Sequence, residues 1–152
     1  HTGHQAIAGE WGHISLGWMR PEEYPGTDCY CGQRGCLETF ISGTGFENEY
    51  ERQTGIRKRG RDIAQLIEQE DVVAEREMRI YENRLARAIA TAVNIIDPDV
   101  LVLGGGMSNI SRIYKTIPEL VQKWIFGGEF STPVRPAKHG DSSGVRGAAW
   151  LW

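Results

Sequence analysis

The sequence of 152 residues lacks a charge excess, a long apolar run and a wide spread of cysteines. Its 17 basic and 20 acidic residues leave a formal net charge of −3, so we expect no nucleic-acid partner. No stretch reaches the ~20 apolar residues of a membrane span, which argues against a membrane partner. No basic leader precedes an apolar stretch, and we therefore expect a cytoplasmic protein.

The densest basic run, residues 57–61, has no aromatic side chains interleaved with it. Nucleic-acid-binding surfaces usually combine basic residues with aromatic rings that stack on bases. We therefore interpret this run as a solvated loop, with a nucleic-acid contact as the alternative.

The composition is that of a folded protein, with 40% apolar and 24% charged residues. The length fits one compact domain. The chain begins at His1 without an initiating Met and enters a glycine-rich loop. We therefore expect it to be a portion of a longer protein.

The three cysteines, Cys29, Cys31 and Cys36, are odd in number and lie within eight residues. They are too close together for disulfides that join distant segments. A redox or catalytic thiol would need a Cys-x-x-Cys pair or a lone Cys with a base, and neither arrangement occurs. Zinc binds Cys₃His sets, and Gly32 and Gly35 allow the tight turn that three converging sulfurs need.

The fourth zinc ligand must then be a histidine. His13 is the best candidate because it follows Gly12 and lies a loop's length before the cysteines. His1 and His4 lie at the start of the chain, and His139 is the reserve. Four protein ligands leave no open position for water, so the predicted zinc is structural.

The apolar periodicity predicts a long amphipathic helix at Val72–Ile96, ended by Asp97 and Pro98. The apolar run Val100–Leu103 then predicts a strand buried on both faces. A helix that leads into a buried strand indicates an α/β architecture. Before this helix, the pattern predicts a helix at Glu47–Gln53 ended by Gly55 and a helix capped by Asp62. After the strand, it predicts a helix capped by Ser108 or Asn109 and kinked or split at Pro118. An edge strand within Thr132–Lys138 and a last helix at Val145–Trp152, with small residues for close packing, complete the prediction.

Two carboxylates flank the proposed metal ligands in sequence. Glu10 precedes His13 by three residues, and Glu38 follows Cys36 by two. If one metal draws these segments together, the two carboxylates and the imidazole edge provide acceptors and a donor suited to vicinal sugar hydroxyls. The alternative is that both glutamates are merely solvated or salt-bridged.

Two motifs carry a family resemblance. Residues 10–13 and 29–38 resemble the signature of the ROK family of bacterial sugar kinases and sugar-responsive repressors. Residues 9–13, 38–46 and 140–150 are similar in wording to the fructokinase/mannokinase branch of that family.

The resemblance implies the C-terminal part of an actin-like, ribonuclease-H-like sugar kinase fold with a zinc-binding loop. It implies that ATP and magnesium bind in a cleft between two domains, and that the protein is a homodimer. By the same resemblance, zinc is held by His13, Cys29, Cys31 and Cys36, the hexose hydroxyls are contacted by Glu10, His13 and Glu38, and the adenosine side of ATP meets Gly104, Gly105, Gly106 and Met107.

The sequence also departs from the family pattern. Family kinases carry an Asp-x-Gly-x-Thr phosphate loop, an Asn-Asp pair whose aspartate is the base, and a second glycine-rich phosphate turn, and none of these occurs in residues 1–152. We therefore expect residues 1–152 to be the C-terminal zinc- and sugar-binding portion, with the ATP-phosphate-binding domain and the catalytic aspartate outside the chain. The chain alone should then be inactive, since phosphoryl transfer depends on positioning and charge stabilisation.

The predicted activity of the longer protein is ATP-dependent phosphorylation of a hexose. Fructose is the first candidate substrate, and mannose is the next. One alternative is a sugar-sensing repressor of the same family, with a winged helix-turn-helix before residue 1. Another is a zinc-stabilised interaction module without catalysis.

Overall fold

A computed structural model of the chain describes residues 3–150. The helices are α1 (Glu38–Ile41), α2 (Gly43–Thr54), α3 (Gly60–Glu68), α4 (Val72–Ile96), α5 (Ile113–Val121) and α6 (Ser143–Ala149), and the strands are β1 (Leu101–Leu103) and β2 (Val134–Pro136). Short 3₁₀ helices occur at Trp11–His13, Pro21–Glu23 and Gly106–Asn109.

Helix α4 is the central element and matches the predicted Val72–Ile96. It begins where the Asp71 carboxylate accepts a hydrogen bond from the Ala74 amide at 2.8 Å. It ends at Asp97, whose backbone is left-handed with φ of 48°. Within residues 3–150, no helix is both long enough and apolar enough to span a bilayer.

Strands β1 and β2 pair in parallel, with Leu101 opposite Val134, and α5 connects them. The predicted edge strand is confirmed in shortened form as β2. The prediction that β1 is buried on both faces is wrong, because Val102 is 59% exposed. Its side chain points to a face that no element among residues 3–150 covers, whereas Leu101 packs against the main core.

Two of the predicted helix starts are displaced. Helix α2 begins at Gly43 rather than Glu47, because the Ser42 hydroxyl accepts a hydrogen bond from the Gly45 amide. Its predicted end at Gly55 is confirmed by a left-handed φ of 71°. Asp62 does not cap α3, because the helix already begins at Gly60, whose amide donates to Glu47 Oε1 at 2.8 Å.

The predicted caps of α5 are also wrong. Ser108 lies in a 3₁₀ turn, and its hydroxyl donates to the Gly105 carbonyl at 2.7 Å. Asn109 ends the same turn, and α5 begins only after Arg112. Pro118 neither splits α5 nor ends it, since the helix continues to Val121.

The last helix, α6, runs from Ser143 to Ala149, whereas its predicted end at Trp152 lies outside the described residues. No residue of α6 is buried. The close packing expected from its small residues is therefore not found within residues 3–150.

The apolar core has two parts. The larger part joins α2, α3 and α5 to α4 through side chains such as Phe46, Ile63, Met78 and Ile117. The smaller part consists of Leu16, Leu37, Phe40 and Ala88. It attaches the segments before and after the cysteine loop, residues 29–36, to α4.

Glu23 is the centre of a buried ion-pair network with α4. Its carboxylate accepts from Arg84 Nε at 2.9 Å and from Arg87 Nη1 and Nη2 at 2.7 and 2.6 Å. Arg87 is only 1% exposed and also donates to the Trp18 carbonyl at 2.9 Å. These contacts fasten the segment that leads to the cysteine loop to the middle of α4.

The charge of Glu23 is strongly favoured in the folded chain. Burial alone would raise its pKa, but hydrogen bonds from Arg87, from the Arg20 amide and from Arg84 outweigh burial and lower the pKa of Glu23 to about 2. Because the folded value lies below the unfolded one, the network stabilises the fold above about pH 4.5. That contribution is lost as the pH falls towards 2.

Replacing this carboxylate tests the network. We expect Glu23→Gln to lower the free energy of unfolding by about 3 kcal/mol near neutral pH, because it leaves the buried Arg87 guanidinium without its counter-charge and Arg84 with Glu49 alone. The measurement is urea unfolding of the metal-loaded chain. The difference from the unmodified chain should shrink as the pH falls from about 4.5.

Glu22→Gln is the matched control, because Glu22 is the exposed neighbour in the same 3₁₀ helix. It should change the free energy of unfolding by less than about 0.5 kcal/mol. Equal effects of the two substitutions would contradict the role assigned to Glu23.

Candidate functional site

The four predicted metal ligands converge in the fold. Their ligand atoms all lie within 4.8 Å of one another and form the Cys₃His cluster of His13, Cys29, Cys31 and Cys36. His13 Nδ1 is 3.6 Å from Cys29 Sγ, and Cys31 Sγ is 3.5 Å from Cys36 Sγ. A zinc tetrahedron with Zn–S bonds of ~2.3 Å has edges of about 3.8 Å. The donor set and its spacing therefore fit a zinc ion.

The local backbone explains how three sulfurs meet within eight residues. The Cys29 amide donates to the Gln33 carbonyl at 2.9 Å, which closes a tight turn. Gly32 and Gly35 adopt left-handed φ angles of 88° and 68°, as the turn requires. A Cβ on Gly26 would lie 2.3 Å from the Gly35 Cα, so the two arms of the loop touch backbone to backbone.

A second contact brings His13 to the cysteine loop. Ser15 and Cys36 form an antiparallel bridge, and the Leu37 amide donates to the Ile14 carbonyl at 2.8 Å. The 3₁₀ turn Trp11–His13 directly precedes this bridge. The position of His13 is therefore set by backbone pairing as well as by the contact of its imidazole with the sulfurs.

The electrostatics of the thiols favour a cation among them. A backbone hydrogen bond from Gln33 lowers the pKa of Cys31 to about 7. Burial, followed by the neighbouring thiols Cys31 and Cys29, raises the pKa of Cys36 to about 12. Three adjacent thiolates repel one another, and a divalent cation between them relieves that repulsion.

The two ring nitrogens of His13 face different surroundings. Nδ1 points to the sulfurs, whereas Nε2 lies 2.8 Å from the Tyr30 hydroxyl and 3.9 Å from Glu38 Oε2. A metal-binding histidine carries its hydrogen on the other nitrogen, so Nε2 is the donor that faces outward. Glu38 is the first residue of α1, directly after the cysteine loop.

Glu10 is the third residue predicted to contact the sugar. It is exposed and precedes the turn that carries His13. Partial desolvation, followed by the negative charges of Glu38, Cys29 and Glu10, raises the pKa of the Tyr30 hydroxyl. His13 and Glu38 therefore lie close together, with Glu10 near enough to influence Tyr30, and the predicted contact of all three with sugar hydroxyls stays a prediction.

Sequence reasoning does not identify Tyr30 as a site residue, although its hydroxyl lies 2.8 Å from His13 Nε2. Its position between Cys29 and Cys31 was the available signal, because neighbours of metal ligands are held close to the metal. Nothing in the composition marks its side chain as different from an ordinary exposed tyrosine.

A cavity of about 590 Å³ lies beside the glycine turn that follows β1. Gly106 and Met107 line it, together with Gly43 of α2 and Arg59 and Arg61 at the start of α3. Two of the four residues predicted to contact the nucleotide are therefore at this cavity.

Gly104 and Gly105, the other two, do not line the cavity. The Gly105 amide instead donates to the Asp141 carbonyl at 3.1 Å. Asn109 donates to the Asp141 carboxylate at 3.1 Å. The glycine turn is thus tied to the segment that leads into α6.

The basic run at residues 57–61 has a location that sequence reasoning did not predict. Arg57, Arg59 and Arg61 are exposed, in agreement with the predicted solvated stretch, and Arg59 and Arg61 also line the 590 Å³ cavity. Sequence reasoning could not predict this, because it is a tertiary contact in which α3 brings these residues opposite the glycine turn.

The fold and the cluster together define an α/β protein built around a Cys₃His loop. The ROK family model matches residues 1–152, and the chain therefore belongs to the ROK family. The chain is 38% identical over 154 residues to an N-acetyl-D-glucosamine kinase of Vibrio cholerae, a match that covers 99% of the chain and 51% of the relative. It is 34% identical over 160 residues to an N-acetyl-D-glucosamine kinase of Mannheimia succiniciproducens, with 100% and 52% covered.

Solved structures show the same fold. A ROK family glucokinase from Streptomyces griseus, in complex with glucose and AMPPNP, matches with a TM-score of 0.82 and 26% identity over 99% of this chain and 53% of that one. A ROK hexokinase from Thermus thermophilus matches with a TM-score of 0.80 and 28% identity, over 98% and 48%. The predicted α/β, actin-like and ribonuclease-H-like class is confirmed. The chain spans about half the length of the curated relatives it matches.

Removing the imidazole tests the ligand set. We expect His13→Ala to reduce the zinc bound per chain from about one to well below half after dialysis, because a three-ligand site holds the ion less tightly. The measurement is elemental analysis of reduced protein. His139→Ala, the reserve histidine, should keep its zinc, and loss of metal from that variant alone would contradict the assignment.

Proposed function

We propose that residues 1–152 form the zinc- and hexose-binding part of an ATP-dependent sugar kinase. In this proposal, the phosphate loop, the second phosphate turn and the general base are supplied by residues outside this sequence. The observation that carries the proposal is the orientation of His13, with Nδ1 among the sulfurs and Nε2 facing Glu38. One side chain can thus serve a structural metal and a substrate at once.

Zinc in the Cys₃His cluster would be structural, since four protein ligands fill its tetrahedron. The surrounding residues fix the ring of His13 through Cys29 on one side. Glu38 lies next to Gly12, since a Cβ built on Gly12 would be 3.8 Å from Glu38 Oε2. The loop therefore presents a donor and an acceptor close to one another.

The chemistry of this surface fits a polyol. His13 Nε2–H donates, while the carboxylates of Glu38 and Glu10 accept. Each hydroxyl of a sugar can accept one hydrogen bond and donate another, so vicinal hydroxyls match an alternating donor and acceptor set. Orientation of the sugar is the contribution of these residues, and it allows an aspartate outside the chain to deprotonate the attacking hydroxyl.

The 590 Å³ cavity is the proposed nucleotide side. Its size suits an adenosine, and Arg59 and Arg61 add positive charge and flat guanidinium groups that stack on a base. Gly106 has no heavy atom within 4 Å of an added Cβ, so its backbone is open to a ligand. Magnesium would accompany the phosphates, which the proposal places towards residues outside this chain.

Several hexoses are candidate substrates. The sequence motifs resemble those of the fructokinase/mannokinase branch, whereas the curated relatives described above are N-acetyl-D-glucosamine kinases. The relatives support phosphorylation of a sugar but not fructose in particular. We propose a hexose or N-acetylhexosamine as the class, to be ordered by a binding panel.

A homodimer, which the family resemblance implies, and the cytoplasmic location expected from the sequence belong to the same proposal. The repressor and the non-catalytic module remain the alternatives. A ROK family transcriptional regulator also matches, with a TM-score of 0.70 and 22% identity, and this shows the shared fold alone. No observation favours a DNA-binding function within residues 3–150.

Sugar binding is tested by titration calorimetry of the zinc-loaded chain with D-fructose, D-mannose, D-glucose and N-acetyl-D-glucosamine. We expect Glu38→Gln to weaken binding of the preferred sugar at least tenfold, because a charged hydrogen bond contributes about 1.5–3 kcal/mol. Zinc content should not change.

Glu129→Gln is the control, because Glu129 is exposed and lies outside the site. Its affinity should equal that of the unmodified chain. Failure of every sugar to bind the unmodified, zinc-loaded chain would contradict the proposed function.

Nucleotide binding is tested at the glycine turn. We expect Gly106→Leu to weaken ADP binding at least fivefold, because the new side chain projects into the cavity. Gly104→Leu is the matched control, since an added Cβ also meets open space there but Gly104 does not line the cavity. Fluorescence titration gives both affinities, and equal losses would contradict the assignment of the cavity.

A further inference from the structure

The side chain of Tyr30 covers the outward nitrogen of His13. The Tyr30 hydroxyl is 2.8 Å from Nε2, and the two rings meet edge to face with centroids 5.0 Å apart at 88°. Tyr30 is nevertheless 81% exposed. Its ring is therefore held by contacts with His13 rather than by burial.

Displacement of Tyr30 would involve its side chain and not its backbone. Its backbone lies between Cys29 and Cys31 and within the turn that the Gly32 amide closes on the Cys29 carbonyl at 3.0 Å. A cavity of about 240 Å³, lined also by Glu38 and Thr44, adjoins the residue, so a rotated ring meets open space. Exposed side chains change rotamer quickly, because little packing opposes the motion.

The phenol hydroxyl has the hydrogen-bonding capacity of a sugar hydroxyl. When Nδ1 of His13 binds the metal, the phenol oxygen accepts from Nε2–H and keeps its own hydrogen for an acceptor. Glu38 Oε2, the nearest carboxylate oxygen to Nε2, lies 3.9 Å from that nitrogen. A sugar hydroxyl that used His13 and Glu38 would need the space that the Tyr30 hydroxyl fills.

We propose that Tyr30 is a specificity-determining side chain, whose hydroxyl occupies the substrate's hydrogen-bond position on His13 and is displaced when a hexose binds. This inference rests on the proposed function, because it concerns the same His13 donor. A sugar that binds must replace the hydrogen bond between the Tyr30 hydroxyl and Nε2 with one from its own hydroxyl. Only ligands that gain further contacts, such as those with Glu10 and Glu38, then bind well.

The expected consequence is a lower apparent affinity in the unmodified chain. Hexose can bind only to molecules in which Tyr30 leaves Nε2 of His13 uncovered. The apparent affinity equals the intrinsic affinity multiplied by the fraction of such molecules. One neutral hydrogen bond contributes about 1 kcal/mol, so loss of the phenol hydroxyl should tighten hexose binding roughly fivefold. The ring is kept in Tyr30→Phe, which separates the hydroxyl from the bulk of the side chain.

The experiment compares unmodified chain, Tyr30→Phe and Tyr24→Phe, each zinc-loaded, by titration calorimetry with D-glucose, D-fructose and N-acetyl-D-glucosamine. Tyr24 is the matched control, because it is 76% exposed and forms no hydrogen bond through its hydroxyl among residues 3–150. We expect tighter binding only for Tyr30→Phe, with zinc content unchanged in all three. Equal or weaker hexose binding by Tyr30→Phe would overturn the inference.

A spectroscopic readout tests the displacement itself. With 3-fluorotyrosine at position 30, the fluorine resonance should shift as hexose saturates the chain, and the same label at position 24 should not respond. Hexose binding without a shift at position 30 would also overturn the inference. If neither the unmodified chain nor Tyr30→Phe binds any hexose, the proposed function fails, which is a distinguishable result.

Discussion

The convergence of three thiols and one imidazole within 4.8 Å is the constraint on which the site depends. Such a cluster is unfavourable as thiolates alone and favourable around a divalent cation. It joins two segments that are 16 residues apart between His13 and Cys29. The outward nitrogen of His13 and the start of α1 at Glu38 are placed by this junction, so the proposed sugar contacts depend on it.

The cluster is not the only support of the loop. The Glu23 network and the small core around Leu37 hold the loop on α4 without any metal. Burying an ion pair costs desolvation, and hydrogen bonds from Arg84 and Arg87 to Glu23 offset that cost, although Arg87 Nε has no partner among residues 3–150. The scaffold therefore sets where the loop lies, while the ligand cluster sets how its ends meet.

Local signals predicted much of this structure, and long-range contacts account for what they did not predict. Helix α4 was predicted to its ends, because its periodicity and the turn at Asp97 are local features. The cysteine spacing likewise predicted the ligands. The pairing of Glu23 with Arg87 spans 64 residues, and no sequence pattern encodes it. Asp62 is not the cap because α3 begins earlier, at Gly60, whose amide donates to Glu47, 13 residues before it.

Zinc K-edge X-ray absorption of the purified, reduced chain tests the central claim most directly, because it reports the atoms bound to the metal. The account predicts a first shell of three sulfurs at ~2.3 Å and one nitrogen at ~2.0 Å. The ring nitrogen would belong to His13, whose Nδ1 faces the sulfurs. A shell of oxygen and nitrogen alone, or no retained zinc, would contradict the account.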